Sequence, residues 1–216
     1  MSFGFKVQIW GNRACFSRPE LKVERVSYDV ITPSAVRGIL EAVFWKPAIR
    51  YVIDEIAVCS PIKFENIRRN EVAFKANNNT PKAAGEGRVQ RASMILKDVC
   101  YLVTAHFEMT DNAGAEDNES KYAEMIHRRY EKGQCFHMPY LGTREFPSNL
   151  RIISPGETLP SPIEETRTLG LMLYDMEYIT ETDKHGDKIV KAFKPTYFMA
   201  EMTSGVIDLR NIEVLR

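Results

Sequence analysis

The sequence has no apolar run approaching the roughly 20 residues that a membrane-spanning helix needs, so no membrane role is expected. Its first residues, Met1-Ser-Phe-Gly-Phe-Lys, lack the charged lead and apolar stretch of a secretion signal, which points to the cytoplasm. The four cysteines, Cys15, Cys59, Cys100 and Cys135, are far apart with no CxxC pair. That excludes a zinc knuckle or a dense disulfide framework and predicts buried free thiols. Internal repeats and low-complexity tracts are also missing. There is no net charge, 29 Lys+Arg standing against 29 Asp+Glu, which argues against a general polyanion binder. The two parts differ, however: residues 1–100 hold 16 basic and 10 acidic side chains, residues 101–216 hold 13 and 19. A chain so divided can present a basic face to phosphates, unless the imbalance is only that of a solvated surface.

What is present is an ordinary globular composition, 44% hydrophobic and 27% charged, which excludes disorder as the main state. Phe3, Phe5, Val7 and Ile9 alternate with polar or small residues as in a half-buried strand. Thr32-Pro33 supplies a capping hydroxyl and a proline at the first helical position, and Val36, Ile39, Leu40 and Val43 follow at helical spacing up to Pro47. Residues 49–59 read as a strand, and residues 61–91, rich in Lys, Arg, Asn and Gly, as a long basic loop or hairpin. A third strand covers 99–107, and a second helix starts near Asp117 or Asn118 and ends at Gly133. A fourth strand is expected near 134–137. The order β-α-β-β-α-β predicts an α+β, ferredoxin-like domain over 1–147, the plan shared by RNA-recognition modules. Prolines at 147, 155, 160 and 162 suggest a linker or irregular crossing, and strands near 170–179, 188–199 and 206–209 suggest a small C-terminal antiparallel β domain over 148–216.

Three segments carry a more specific signal: VERVSYDVITPSA at 23–35, GILEAVFWKP at 38–47 and GQCFHMPYLGTREF at 133–146. They resemble the subtype I-C member of the CRISPR-associated RAMP superfamily. The resemblance implies a metal-independent endoribonuclease, without cofactor, that recognises the repeat hairpin of precursor guide RNA and cuts at its base. It further implies that the protein stays on the 5′ handle among the other subunits of a type I-C Cascade complex.

Cleavage of this kind needs no metal. The ribose 2′-hydroxyl attacks the adjacent phosphate, and the protein moves protons and stabilises charge. In the family that this chain resembles, the work falls to a tyrosine near the end of the first helix and an adjacent Lys-His pair on the second. The tyrosine position is Phe44 here, the lysine position Lys121, and the histidine position Tyr122. Phenylalanine transfers no proton, whereas tyrosine does, although its ordinary pKa of about 10 makes it a poor base at neutrality without a nearby cation. Tyr122 also falls on the apolar stripe of Met125 and Ile126, where a core tyrosine would sit. His127 is about 140° around the helix from Tyr122 and is a weak catalytic candidate. His106 and His185 read as structural and turn histidines, and Cys135 with His137 does not match a zinc spacing.

The expected RNA contacts are Lys22, Arg25, Lys46, Arg68, Arg69, Arg128, His137 and Tyr140. Arginine suits bidentate phosphate capture, and Tyr140, with Trp10 and Trp45, suits stacking on unpaired bases. Lys121, Arg128 and Lys132 form a basic row or, with Glu124 and Glu131, a salt-bridged face. Two alternatives remain: a Cascade subunit that only binds the 5′ handle, and a metal-dependent DNA nuclease, for which no clustered carboxylate motif is visible.

Overall fold

A computed structural model describes residues 4–21, 23–74, 83–182 and 188–216. It is a mixed α/β protein, mostly strands with two helices. The main sheet is built on β1 (Gly4–Ala14) and the 22-residue β5 (Arg88–Met109), paired antiparallel with Val7 opposite Val103. On one side of this pair lies β6 (Asn149–Ile152), on the other β3 (Ile49–Val58) and then β9 (Val206–Asp208), giving the order β6-β1-β5-β3-β9 with antiparallel neighbours throughout. A short β2 (Arg25–Val26) runs parallel to β5. A bulge between Ile53 and Glu55 displaces Asp54, whose carboxylate meets His106 Nδ1 at 2.9 Å, a structural role for that histidine.

Alternation drives this pairing. Val7 and Ile9 of β1 and Tyr101, Val103, Ala105 and Phe107 of β5 point to one face and are buried there. They pack against α1 (Pro33–Val43), through Val36, Ile39, Leu40 and Val43, and α2 (Glu119–Glu131), through Tyr122 and Ile126. Burying each such aliphatic side chain contributes about 1.5–3 kcal/mol. The caps are as expected: Thr32 Oγ1 accepts the Ala35 N–H at 3.2 Å, and Asn118 Oδ1 accepts that of Lys121 at 2.9 Å. Gly133, with φ +61°, ends α2 in the left-handed conformation that glycine adopts without steric cost.

Three expectations change. Residues 134–137 form no strand; their donors serve helix ends instead, Gln134 N–H reaching Arg129 O of α2 and Phe136 N–H reaching Ala42 O of α1, each at 2.8 Å, because the last carbonyls of a helix have no partner within it. The strand on the far side of β1 is β6, four residues long and hidden behind Pro147 at 149–152, just past the predicted boundary. The strand expected near 206–209 does not extend the C-terminal ribbon but joins β3 as β9. The basic insertion is a hairpin of β4 (Phe64–Val72) on the first half of β5, with residues 75–82 outside the described set. The proline-rich crossing runs from Ile153, bonded to Lys6 O, to Ile163, bonded to Val58 O.

The C-terminal ribbon pairs β7 (Arg167–Thr182) with β8 (Lys188–Met202); the turn expected at 183–187, including His185, lies outside the described residues. Met172, Phe198 and Ala200 extend the core, and Arg37 of α1 is ion-paired with Asp175 of β7 at 2.5 Å. All four thiols are free, but only Cys15 is fully buried: Cys59 and Cys100 are half-buried and Cys135 is exposed, since it sits in the loop that replaces the expected strand. Among the described residues no helix is long and apolar enough to cross a membrane.

Candidate active site

The end of α1 meets the start of α2 at a corner where the expected catalytic positions come together. Phe44, the residue capping α1, is buried, and its carbonyl accepts the Tyr51 hydroxyl at 2.9 Å. The Tyr122 ring lies 6.0 Å from that of Phe44, tilted by 48°. Lys121 Nζ is 5.8 Å from the centre of the Tyr122 ring and 3.3 Å from Asp117 Oδ1. Tyr122 is thus both a core residue and a site residue: its ring is buried while its hydroxyl bonds the Asp117 carboxylate.

That bond sets the electrostatics. The Asp117 carboxylate beside it, helped by burial, pushes the Tyr122 hydroxyl up to about 12. Asp117 moves below the usual carboxylate range because it receives the Tyr122 hydroxyl, the Gly114 N–H and the Lys121 ammonium. Tyr122 therefore keeps its proton across the neutral range and stands as a hydrogen-bond donor. Asp117 was visible in the sequence only as the start of a helix, yet its i, i+4 spacing to Lys121 was the signal that would have found it. Arg129 was missed as well. Its guanidinium sits 5.5 Å from the centre of the Phe44 ring and bonds Val43 O at 3.2 Å, adding a second cation to the corner.

His127 and Arg128 are exposed on α2, outside the Lys121–Asp117–Tyr122 cluster. His137 is exposed, its ring 6.5 Å from Tyr140 and 5.9 Å from Phe136. Lys46 is exposed beside Trp45. Phe136 and Trp45 are themselves 86% and 56% exposed, and Met138 is also outward; such large apolar side chains in water beside Arg129 and His137 make a surface suited to stacking. Phe136 was not picked out from the sequence, although an aromatic in a short loop beside a proline and a histidine was there to be seen.

The remaining cations form a second group. Arg25, Arg69 and Arg91 surround Glu71, at 3.1, 3.6 and 3.3 Å. Arg69 also bonds Ser93 at 2.8 Å and is ion-paired with Glu145, in the loop that carries Tyr140. Arg68 is exposed on β4, and Lys22 lies outside the described residues. Tyr140 is half-buried against α1. Among the described residues no group of three or more His, Cys, Asp or Glu side chains is placed to share a metal ion.

The fold has known counterparts. A functionally uncharacterized protein from Streptococcus mutans superposes with a TM-score of 0.69 at 24% identity, covering 97% of this chain and 93% of that one. A structure described as a CRISPR-associated protein superposes with a TM-score of 0.68 at 23% identity, with the same coverage. The sequence narrows this class. The Cas5d profile, described as CRISPR-associated protein (Cas_Cas5), matches residues 4–210, and the chain belongs to that family, in its type I-C branch. A CRISPR pre-crRNA endoribonuclease Cas5d from Mannheimia succiniciproducens is 45% identical over 97% of this chain and 96% of its own length. One of the same description from Thermus thermophilus is 46% identical over 82% of this chain and 74% of its own.

Proposed function

We propose that this chain binds the repeat of precursor CRISPR RNA, cleaves it without a metal ion at the base of the repeat hairpin, and remains on the 5′ handle within a type I-C Cascade complex in the cytoplasm. The observation that carries the reading is the 45% identity, over nearly the whole of both chains, to a CRISPR pre-crRNA endoribonuclease. The Lys121–Asp117–Tyr122 cluster supports the chemistry. The strand order β6-β1-β5-β3, with a helix before β3 and another before β6, supports a ferredoxin-like reading of the main domain. The β7–β8 ribbon then forms a C-terminal appendage.

In this mechanism the 2′-oxygen attacks phosphorus, the bond to the 5′-oxygen breaks, and the products are a 2′,3′-cyclic phosphate and a 5′-hydroxyl. The 2′-hydroxyl proton goes to solvent. Lys121 and Arg129 offset the charge of the phosphorane. Tyr122, protonated at neutrality, delivers a proton to the leaving 5′-oxygen and recovers one from water. Asp117, the partner of that hydroxyl, is 22% exposed, so the edge of the cluster is open to solvent.

The test uses the cognate repeat RNA in EDTA, with and without a 2′-deoxy sugar at the scissile nucleotide. Cutting that persists in EDTA and disappears with the deoxy sugar is the expected result; cutting only with added metal overturns metal independence and reopens DNA as a substrate. A second reading, a subunit that binds the handle without cutting, is favoured by Phe44, which bonds through its backbone alone and transfers no proton. Tight binding with no product supports that second reading.

A further inference from the structure

A cleft of about 300 Å³ opens along α1, between the loop that carries Tyr140 and Gly142 and strand β7 at Leu173. Its floor is small, Ala35, Gly38 and Ala42, and hydroxyls of Ser17, Thr32 and Ser34 line its walls.

Three features define its occupant. The volume is at the small end of ligand clefts, enough for one ring system and not for a folded duplex. No carboxylate, ammonium or guanidinium lines it, so the occupant is uncharged, while the hydroxyls call for hydrogen-bonding edges. Arg18 lies outside the lining, 4.6 Å above the Tyr28 ring and ion-paired with Asp29 at 3.1 Å, so it braces the rim of the cleft and adds no free charge to its interior. An uncharged planar ring with polar edges on a charged backbone is a nucleotide pulled out of its stack.

We propose that this cleft receives one unpaired nucleobase of the RNA, within a few nucleotides of the bond that breaks. The proposal deepens the function proposed above and rests on it. The spacing follows from the helix: Gly38 precedes Phe44 by six residues, about 9 Å along α1. The same step turns about 120° around α1, so a backbone that passes Tyr122 and Lys121 reaches the cleft within a few nucleotides. Gly38 is the key to the site. A Cβ there meets nothing within 4 Å, so a larger side chain enters the cleft without pushing backbone aside. Replacing a helical glycine also favours the helix, so the variant should fold.

The experiment measures the affinity of the full chain for its repeat RNA and for a series with one abasic nucleotide at each unpaired position flanking the cut. The parent should lose about tenfold or more at a single position, in keeping with the loss of one stacked base. Gly38→Leu should lose a similar factor on intact RNA and nothing further on that one abasic RNA, with a melting temperature no lower than the parent's. A flat abasic series in the parent overturns the proposal whatever the variant does. So does Gly38→Leu binding intact RNA as the parent does, or penalties of variant and abasic site that simply multiply. If the parent ignores intact repeat RNA, the function proposed above falls first, and this control reveals it before any variant is made.

Discussion

Two clusters of cations lie on this molecule, and they are spent differently. At the α1–α2 corner, Lys121 has one carboxylate partner and Arg129 bonds a backbone carbonyl, with exposed Trp45 and Phe136 alongside. Beside the β4–β5 hairpin, Arg25, Arg69 and Arg91 crowd around Glu71, and Glu145 takes a further share of Arg69. The excess of positive charge in residues 1–100 therefore overstates what faces a phosphate, because part of it holds the fold together. Charge counts find a basic half; only pairing shows which cations are available.

The sharpest way to test this contrast is to strip the aromatics from the corner. Trp45→Ala together with Phe136→Ala should weaken repeat-RNA binding by about a hundredfold, at 1–3 kcal/mol for each stacked base, in a filter-binding or anisotropy titration. Equal binding would mean that the corner is not the RNA surface. Next in size, Lys121→Ala should slow single-turnover cleavage by about tenfold or more with little change in affinity, since its cation acts on the transition state. Arg69→Met should leave the cleavage rate within about threefold but lower the melting temperature. Arg69 is 15% exposed, and removing it leaves Glu145 and Ser93 without that partner, a loss of about 1–3 kcal/mol.

The smallest effect is a titration. The Tyr122 hydroxyl should ionise near pH 12 by tyrosine-resolved NMR, and Asp117→Asn should bring it back toward 10. Because the folded-state value is raised, the stabilisation is complete below about pH 10 and is lost as pH rises through about 12. Asp117 behaves in the opposite way: its folded value is lowered, so its contribution is present above its ordinary value of about 3.9 and is lost as acid protonates it. An unshifted Tyr122 would separate its hydroxyl from Asp117.

Local signals were legible in the sequence. Thr32-Pro33, Asn118 and Gly133 mark their helices because a cap is decided within three or four residues. The strands at 49–58 and 99–107 announce themselves by alternation. Strand β6 did not, because four residues with two apolar side chains make too short a pattern, and its place is set by β1, some 140 residues earlier in the chain. Residues 134–137 misled for a related reason: their hydrogen bonds go to helix ends, which no local pattern reveals. At the site, Lys121, Tyr122 and Phe44 were legible as family positions. Core and function were set against each other for Tyr122, whereas the ring packs in the core and the hydroxyl meets Asp117. Asp117 and Arg129 depend on where two helices meet, which sequence spacing alone does not fix.

Gly142 shows how little separates these parts. It has φ +83°, and a side chain there would run into the backbone carbonyl of Cys15, at the end of β1. The same loop grips Arg69 through Glu145 and walls the α1 cleft through Tyr140. One added methyl would lift the whole loop from its seat, slackening a hairpin on one side and a helix surface on the other without touching either.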